Sequence, residues 1–210
     1  MATLEIYGFP ASTYTRAARM ACEEKGVPYK LTPAPPHSSE VNAIHPFGKI
    51  PVMRHGDFEL CETKAIATYL DKTFPGPKLI PDDARAAAQT EKWVSIINTM
   101  VDPLWVRRYV FAYIFPKTAD KSPDRATIDA AVPEMRKQAE ILDQGLAGGG
   151  FAGNGFSFAD INLMPILFYT LKFPEGAEIV NSAKNLKAFY ERNAQRASFT
   201  NTDPPPPPKR

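Results

Sequence analysis

Cysteine and histidine are both scarce in this sequence. Cys22 and Cys61 are the two cysteines among 210 residues. They cannot form the disulfide framework of a small secreted domain, so the composition indicates a reducing compartment and we expect a cytoplasmic protein. The three histidines, His37, His45 and His55, lack the spacing of metal ligands, so we expect no metal site.

The sequence also lacks a charge excess and a long apolar run. Its 25 basic and 23 acidic residues leave a net charge of +2, which argues against nucleic acid as a partner. The longest apolar run, between Asp160 and Lys172, is too short to cross a bilayer, so we expect no membrane partner. The N-terminus has no basic segment before an apolar core, which excludes a typical signal peptide.

The first part of the chain alternates short strands and helices. Leu4–Tyr7 has the pattern of a strand, Ser12 fits the N-cap of the next helix, and Gly26 can end that helix. Further strands are predicted at Val27–Leu31, Ile50–Met53 and Phe58–Leu60, and a helix from Glu62 to about Thr73. The expected order is βαβ, a loop with about one helical turn, and ββα.

Proline and glycine residues in the segment 74–83 mark a domain boundary, beyond which the composition is helical. Helices are predicted at 84–100, 127–146, 157–171 and 183–197, and Pro103 should kink or stop the first of them. We therefore expect an α/β domain at residues 1–77, an all-helical domain at 85–200 and a proline-rich tail at 201–210. The tail should be exposed, either unstructured or a ligand for a proline-binding partner.

Four motifs follow one another along the chain. They are Tyr7-Gly8-Phe9-Pro10-Ala11-Ser12 with Arg16 after it, His45-Pro46-Phe47-Gly48-Lys49-Ile50-Pro51, Glu62-Thr63, and Ser157-x-x-Asp160. Each motif alone is weak evidence, because a serine before a helix is usually a cap and a proline before a strand is usually a turn. Ser157 and Asp160 read as a capping box, which we assign to folding.

Together, in this order and at these spacings, the motifs resemble those of the cytosolic glutathione transferases, and of the serine-type phi and theta classes most. The resemblance extends to about Phe199. It implies an α/β thioredoxin-like N-terminal domain and an all-α C-terminal domain. The chain departs from the family pattern at two positions, since His45 replaces the usual asparagine and Thr63 the usual serine.

The resemblance assigns the catalytic role to Ser12. A free thiol titrates near pH 8.5, so a transferase must lower the pKa of the glutathione thiol. The Ser12 hydroxyl would donate to the thiolate sulfur, and the helix N-terminus adds partial positive charge. Tyr7 is the rival, because other classes use a tyrosine at the end of the first strand. Thr13, Tyr14 and Thr15 are further hydroxyls nearby.

The remaining glutathione contacts are also implied by the resemblance. Pro51 would be a cis-proline that exposes the backbone of Ile50 to the cysteine peptide of glutathione. Glu62 would face the γ-glutamyl ammonium, and Thr63 would bind its carboxylate at a helix N-terminus. The glycine carboxylate has the candidates Lys49 and His37.

The electrophile would occupy an aromatic pocket, for which similar proteins use the loop at Phe9 and the segment containing Trp105, Tyr109 and Tyr113. The plain alternative for each aromatic residue is a core position. The predicted function is conjugation of glutathione, used as co-substrate without a further cofactor, to an apolar electrophile by a homodimer. Hydroperoxide reduction, dehalogenation and a non-catalytic binding module are the alternatives.

Overall fold

The computed structural model describes residues 3–153 and 155–205. The chain forms two compact units, of which one contains the chain up to Asp82 together with the segment from Ala194 onward, and the other spans Asp83–Asn193. Residues 206–210 of the expected proline-rich tail lie outside the described residues.

The first unit is built on a four-stranded sheet with the order β2-β1-β3-β4. Strand β1 is parallel to β2, whereas β3 is antiparallel to both β1 and β4. The strands are β1 (Leu4–Tyr7), β2 (Tyr29–Thr32), β3 (Val52–His55) and β4 (Phe58–Cys61). Gly56, with φ of 65°, turns the chain between the last two strands, as its freedom at positive φ allows.

Three helices complete this thioredoxin-like arrangement: α1 (Thr13–Lys25), α2 (Ser39–Ile44) and α3 (Thr63–Thr73). Helix α1 begins at the Ser12 N-cap and ends at Gly26, which has φ of 63°, so both predicted ends are confirmed. Alternation along β1 sends Ile6 into the core, while Tyr7 packs on the other side against Val41 of α2 and Val52. The predicted thioredoxin-like fold is confirmed.

The second unit is helical, and its described residues contain no strand. Its elements are α4 (Ala84–Ile96), a π-helical segment (Ile97–Val110), α5 (Phe111–Ile114), α6 (Arg125–Gly145), α7 (Phe158–Thr170), α8 (Pro174–Ser182) and α9 (Lys184–Asn193). The capping box at the start of α7 is present, with Asp160 Oδ2 accepting from the Ser157 backbone N–H at 2.8 Å and from its hydroxyl at 2.6 Å.

The helical unit differs from the expected elements at two places. Pro103 does not stop the helix, because the backbone changes to π-helical bonding over the stretch that contains it and the chain stays helical to Ile114. Helix α8 lies between the two helices predicted at 157–171 and 183–197, and it contains Gly176, a residue that disfavours a helix. The glycine is required by packing, as a Cβ there would lie 2.4 Å from the carbonyl oxygen of Thr170.

The segment after residue 193 belongs to the first unit, although the sequence pattern placed it with the helical domain. Its short helix α10 (Ala197–Thr200) packs against α1. The Arg16 guanidinium is fully buried and bonds to the Phe199 carbonyl at 2.9 Å and to the Asp203 carboxylate. A buried arginine needs such partners, so contacts to α1 decide where this segment lies.

Candidate active site

The sheet register gathers the predicted site segments at one end of the first unit. Thr32, Tyr7, Val52 and Cys61 form one row across the four strands. The chain leaves that row towards His37 from β2, towards Ser12 from β1 and towards Glu62 from β4, while Pro51 directly precedes the row in β3. Because all four connections lie at the same end of the strands, residues from distant parts of the sequence share one surface.

Ser12 is half-buried at the N-terminus of α1. Its Oγ accepts the backbone N–H of Thr15 at 3.3 Å, and its own N–H donates to the Phe9 carbonyl at 3.0 Å. The cap uses a lone pair of Oγ, so the hydroxyl proton can be donated to a second acceptor. The N-terminus of α1 adds the partial positive charge of the helix dipole at the same place. This arrangement can stabilise a thiolate.

The Tyr7 hydroxyl is engaged elsewhere. It donates to Glu5 Oε2 at 2.5 Å and accepts from Arg54 Nη1 at 3.4 Å. The bond to Glu5 and burial raise the pKa of Tyr7. Since its single proton is directed to a carboxylate, Tyr7 has none to offer to a thiolate sulfur. Thr15 is also unsuited, because its side chain is fully buried. Its Oγ1 packs so closely against Gly8 that a Cβ added to this glycine would lie only 2.4 Å away.

The loop before β3 has the geometry expected around Pro51. The Ile50–Pro51 peptide bond is cis, and Ile50 is half-buried beside the cluster formed by Tyr7 and Val52. Gly48 has φ of 62°, a conformation that favours glycine. Its carbonyl accepts the backbone N–H of His37 at 2.8 Å, so His37 and Lys49 lie in adjacent, exposed parts of one loop structure.

Glu62 and Thr63 form the start of α3. Glu62 has φ of 70°, which an amino acid with a side chain rarely adopts, and its side chain is 70% exposed. Thr63 is buried in the first helical turn, where backbone N–H groups lack intrahelical partners. A carboxylate fits this helix end, and an unusual backbone conformation beside it is typical of functional sites.

His45 contributes a contact that the sequence reasoning missed. Its side chain is 4% exposed, its Nδ1 accepts the Phe47 backbone N–H at 3.0 Å, and its Nε2 lies 3.3 Å from Glu62 Oε1. The imidazole therefore links the loop before β3 to the first residue of the α3 motif. The sequence feature that could have revealed this contact is the replacement of the usual asparagine by histidine, whose side chain is longer and has two ring nitrogens.

Two of the aromatic residues predicted for the electrophile pocket lie in the core of the helical unit. Trp105 and Tyr109 are both 0% exposed. Trp105 Nε1 donates to Gln138 at 3.1 Å, and the Tyr109 hydroxyl donates to Glu175 at 3.0 Å. This burial corrects the expectation that they line a pocket, because neither ring presents a surface to a ligand.

Phe9 and Tyr113 are more accessible. Phe9 is 44% exposed in the turn that leads to Ser12. The Tyr113 ring stacks on Phe173 with centroids 4.1 Å apart, and its hydroxyl donates to Glu175 at 2.5 Å. Both remain candidates for contact with an apolar substrate.

Both cysteines are free thiols. Burial raises the pKa of Cys22, which keeps this thiol protonated and agrees with a core position. Across residues 3–153 and 155–205, no three His, Cys, Asp or Glu side chains form a cluster that could hold a metal ion. Within the same part of the chain, no helix is long and apolar enough to span a bilayer.

Comparison with known proteins identifies the family. Residues 6–78 match the glutathione S-transferase N-terminal domain, and residues 108–197 match the glutathione S-transferase C-terminal domain. Glutathione S-transferase 3 of Zea mays is 30% identical over 99% of this chain and 98% of its own length. The similar proteins include plant phi-class enzymes, and the similar structures include phi-class and theta-class members.

Solved structures agree over nearly the whole chain. Glutathione transferase F7 from Populus trichocarpa is 28% identical, covers 95% of this chain and 97% of its own, and has a TM-score of 0.86. A glutathione S-transferase I from maize, solved with an atrazine glutathione conjugate, has a TM-score of 0.85 over 96% of both chains, but at 22% identity it shows the fold alone. The matches to both domain families, together with the full-length relative, establish that the chain belongs to the glutathione S-transferase family.

Proposed function

We propose that the protein conjugates glutathione to apolar electrophiles and that Ser12 activates the thiol. Members of this family are transferases with glutathione as co-substrate. The observation that supports the serine mechanism is that Ser12 Oγ accepts the Thr15 N–H, which leaves its own proton for another acceptor, whereas the Tyr7 hydroxyl donates to Glu5. A charge-assisted hydrogen bond from Ser12, with the helix N-terminus, would favour the thiolate, which is the nucleophile.

The remainder of glutathione would lie along the end of the sheet where the strands lead into the site segments. The Ile50 backbone beside cis-Pro51 would pair with the cysteine peptide, as an added strand does. The γ-glutamyl carboxylate would bind at Thr63 on the α3 N-terminus and its ammonium at Glu62. The glycine carboxylate would bind near Lys49 and His37, which the bond between the His37 N–H and the Gly48 carbonyl brings together.

The electrophile would contact Phe9, since this exposed ring lies in the turn that ends at Ser12. An aromatic surface beside the sulfur favours flat apolar molecules. The chemistry of conjugation is that of detoxification, which we propose as the biological role.

The test is a substrate panel with glutathione. We expect conjugation of aryl halides such as 1-chloro-2,4-dinitrobenzene to exceed the reduction of organic hydroperoxides. A higher hydroperoxide rate would assign the protein to the peroxidase alternative, and halide release without conjugate would assign it to dehalogenation. Failure to bind glutathione in calorimetry would identify a non-catalytic member of the family.

We also propose a cytoplasmic homodimer. Two free cysteines fit a reducing compartment. The exposed aromatic ring of Phe47, at 72% exposure, lies beside the site and is a surface that a second subunit could cover. Sedimentation at micromolar concentration should show a species of twice the 23.2 kDa chain mass. A monomer alone would contradict this.

A further inference from the structure

The C-terminal segment, by which we mean residues 196–203, runs along helix α1 in the opposite direction. At the start of the segment, Arg196 forms an ion pair with Glu24 in the last turn of α1, with Nη2 and Oε2 2.7 Å apart. At its end, the Asp203 carboxylate forms an ion pair with Arg16 in the first turn of α1. The segment therefore holds both ends of the helix through side-chain contacts.

Arg16 is held in one orientation by these contacts. Its side chain is fully buried, and its Nη2 donates both to the Phe199 carbonyl at 2.9 Å and to the Asp203 carboxylate. Its Nε donates to Thr202 Oγ1 at 3.4 Å, and the guanidinium carbon lies 4.0 Å from the centroid of the Phe199 ring. A planar guanidinium with acceptors in its plane and an aromatic ring over its face has little freedom to move.

The backbone connects Arg16 directly to Ser12. The Arg16 N–H donates to the Ser12 carbonyl at 2.9 Å, which is the first backbone hydrogen bond of α1. One residue earlier, the Thr15 N–H donates to Ser12 Oγ at 3.3 Å. Both bonds come from the turn that the Arg16 side chain anchors, so a shift of that turn moves the Ser12 hydroxyl with it.

We propose that Arg16 is a positioning residue for Ser12 and that the C-terminal segment influences the reaction through it. The proposal rests on the proposed function, in which the Ser12 hydroxyl donates to the thiolate of glutathione. A displacement of about 1 Å can cost on the order of 100-fold in rate when a reacting group must be held in place. Activation of the thiol would then depend on Asp203, which lies 187 positions after Arg16 in the sequence.

The experiment compares Arg16→Met and Asp203→Ala with the wild-type protein. It measures kcat with an aryl halide and the pKa of bound glutathione from the ultraviolet absorbance of the thiolate. At neutral pH we expect kcat to fall about tenfold in Arg16→Met and about threefold in Asp203→Ala. The second loss is smaller because Arg16 keeps its bonds to Phe199 and Thr202. A higher pH should restore part of the rate in both variants.

Glutathione binding should hardly change. The residues proposed to hold the peptide of glutathione, Ile50, Glu62 and Thr63, lie outside α1. S-methylglutathione has no ionisable thiol, so its affinity in calorimetry reports these contacts alone. We expect both variants to bind it with an affinity close to the wild-type value, so that the loss appears in kcat and in the pKa of the thiol.

The two variants also separate positioning from a direct effect of charge. Arg16→Met removes a cation, which by charge alone would raise the pKa of the bound thiol. Asp203→Ala removes an anion, which by charge alone would lower it. A rise of the thiol pKa in both variants is therefore expected only if both act through the position of the Ser12 hydroxyl.

Arg196→Ala is the matched control. It breaks the ion pair with Glu24, which joins the same segment to the same helix but at the end far from Ser12. We expect it to lower the temperature of thermal unfolding and to leave kcat and the thiol pKa unchanged. Asp203→Glu, which keeps a carboxylate for Arg16, should recover most of the rate that Asp203→Ala loses.

A double variant tests whether Asp203 acts through Ser12. In the Ser12→Gly background there is no hydroxyl to position, so adding Asp203→Ala should cause no further loss of kcat. A further loss in this background would overturn the inference, because Asp203 would then act by another route.

The inference is also overturned if Asp203→Ala keeps the wild-type kcat, if it lowers the thiol pKa, or if Arg196→Ala reduces kcat as much. Asp203→Ala decides the matter if Arg16→Met does not fold, because the Asp203 side chain is 56% exposed and can be removed without opening the core. Wild-type activity in Ser12→Gly would instead refute the serine mechanism of the proposed function, so the two failures are distinguishable.

Discussion

Replacing Ser12 with alanine tests the mechanism most directly. The variant loses the hydroxyl donor and also the cap on the Thr15 N–H at 3.3 Å. One charge-assisted hydrogen bond contributes roughly 1.5–3 kcal/mol. At about 1.4 kcal/mol per factor of ten, the rate should fall about 10- to 150-fold at neutral pH. The lost cap should cost about 1 kcal/mol of folding stability.

The assay is conjugation of an aryl halide, with the pKa of bound glutathione followed by the ultraviolet absorbance of its thiolate. Ser12→Ala should raise that pKa, and a higher pH should restore part of the rate, because solvent then deprotonates the thiol. Affinity for glutathione should fall less, since Ile50, Glu62 and Thr63 remain. Ser12→Gly is the matched control, as glycine caps a helix almost as well as serine. It should lose the same activity with little loss of stability.

The reasoning is refuted if Ser12→Ala and Ser12→Gly remain near wild-type activity. Tyr7→Phe should cost little activity, because the hydroxyl it removes is bound to Glu5 at 2.5 Å. A nearly silent Ser12→Ala beside an inactive Tyr7→Phe would move the protein to the tyrosine mechanism. If neither change mattered, Thr13 would be the next hydroxyl to remove.

Two further predictions concern buried charges, each measured by denaturant unfolding. Asp71→Ala should lower the free energy of unfolding by about 3–5 kcal/mol, because the buried Lys25, 3.2 Å from the Asp71 carboxylate, is left without its counter-charge. Lys78→Ala is the control: it breaks the exposed pair with Asp82 and should not change the stability measurably. Burial raises the pKa of Glu175, but hydrogen bonds from Tyr113 and other partners outweigh it and lower that pKa from 4.5 to about 2. A carboxyl group whose pKa is lower in the folded than in the unfolded protein stabilises the fold at pH values above its unfolded-state pKa. Glu175→Gln should therefore be less stable than wild type by up to roughly 3 kcal/mol above about pH 5. The difference should vanish towards about pH 2, where the wild-type carboxylate gains its proton. A stability difference that is constant with pH would contradict the second prediction.

Features decided within about four residues could be predicted from the sequence. The ends of α1 follow from Ser12, whose oxygen meets an N–H three residues later, and from Gly26, which can adopt positive φ. The capping box of Ser157 and Asp160 is equally local. Gly56 identifies the β3–β4 turn for the same reason. Such signals are strong because the interacting groups are covalently close and no other part of the chain is needed.

Features that depend on distant partners could not be predicted. Sequence periodicity cannot tell a core aromatic residue from a pocket residue, and the Gln138 and Glu175 side chains that bind Trp105 and Tyr109 lie more than 30 positions away. Gly176 disfavours a helix by its local propensity, and only the structure shows that a larger residue there would collide with the Thr170 carbonyl oxygen. Tertiary contacts override propensity in both cases.

The sequence by itself determined the thioredoxin-like order of elements, the serine at the head of the first helix and the motif that contains Pro51. The structure decided how the Tyr7 hydroxyl is engaged, because it donates to Glu5 on the same strand and accepts from Arg54 on the neighbouring strand β3. It also decided that His45 meets Glu62 at 3.3 Å. Two residues 17 positions apart become neighbours because β3 and β4 fold back on each other, and that pairing is a property of the sheet and not of any local pattern.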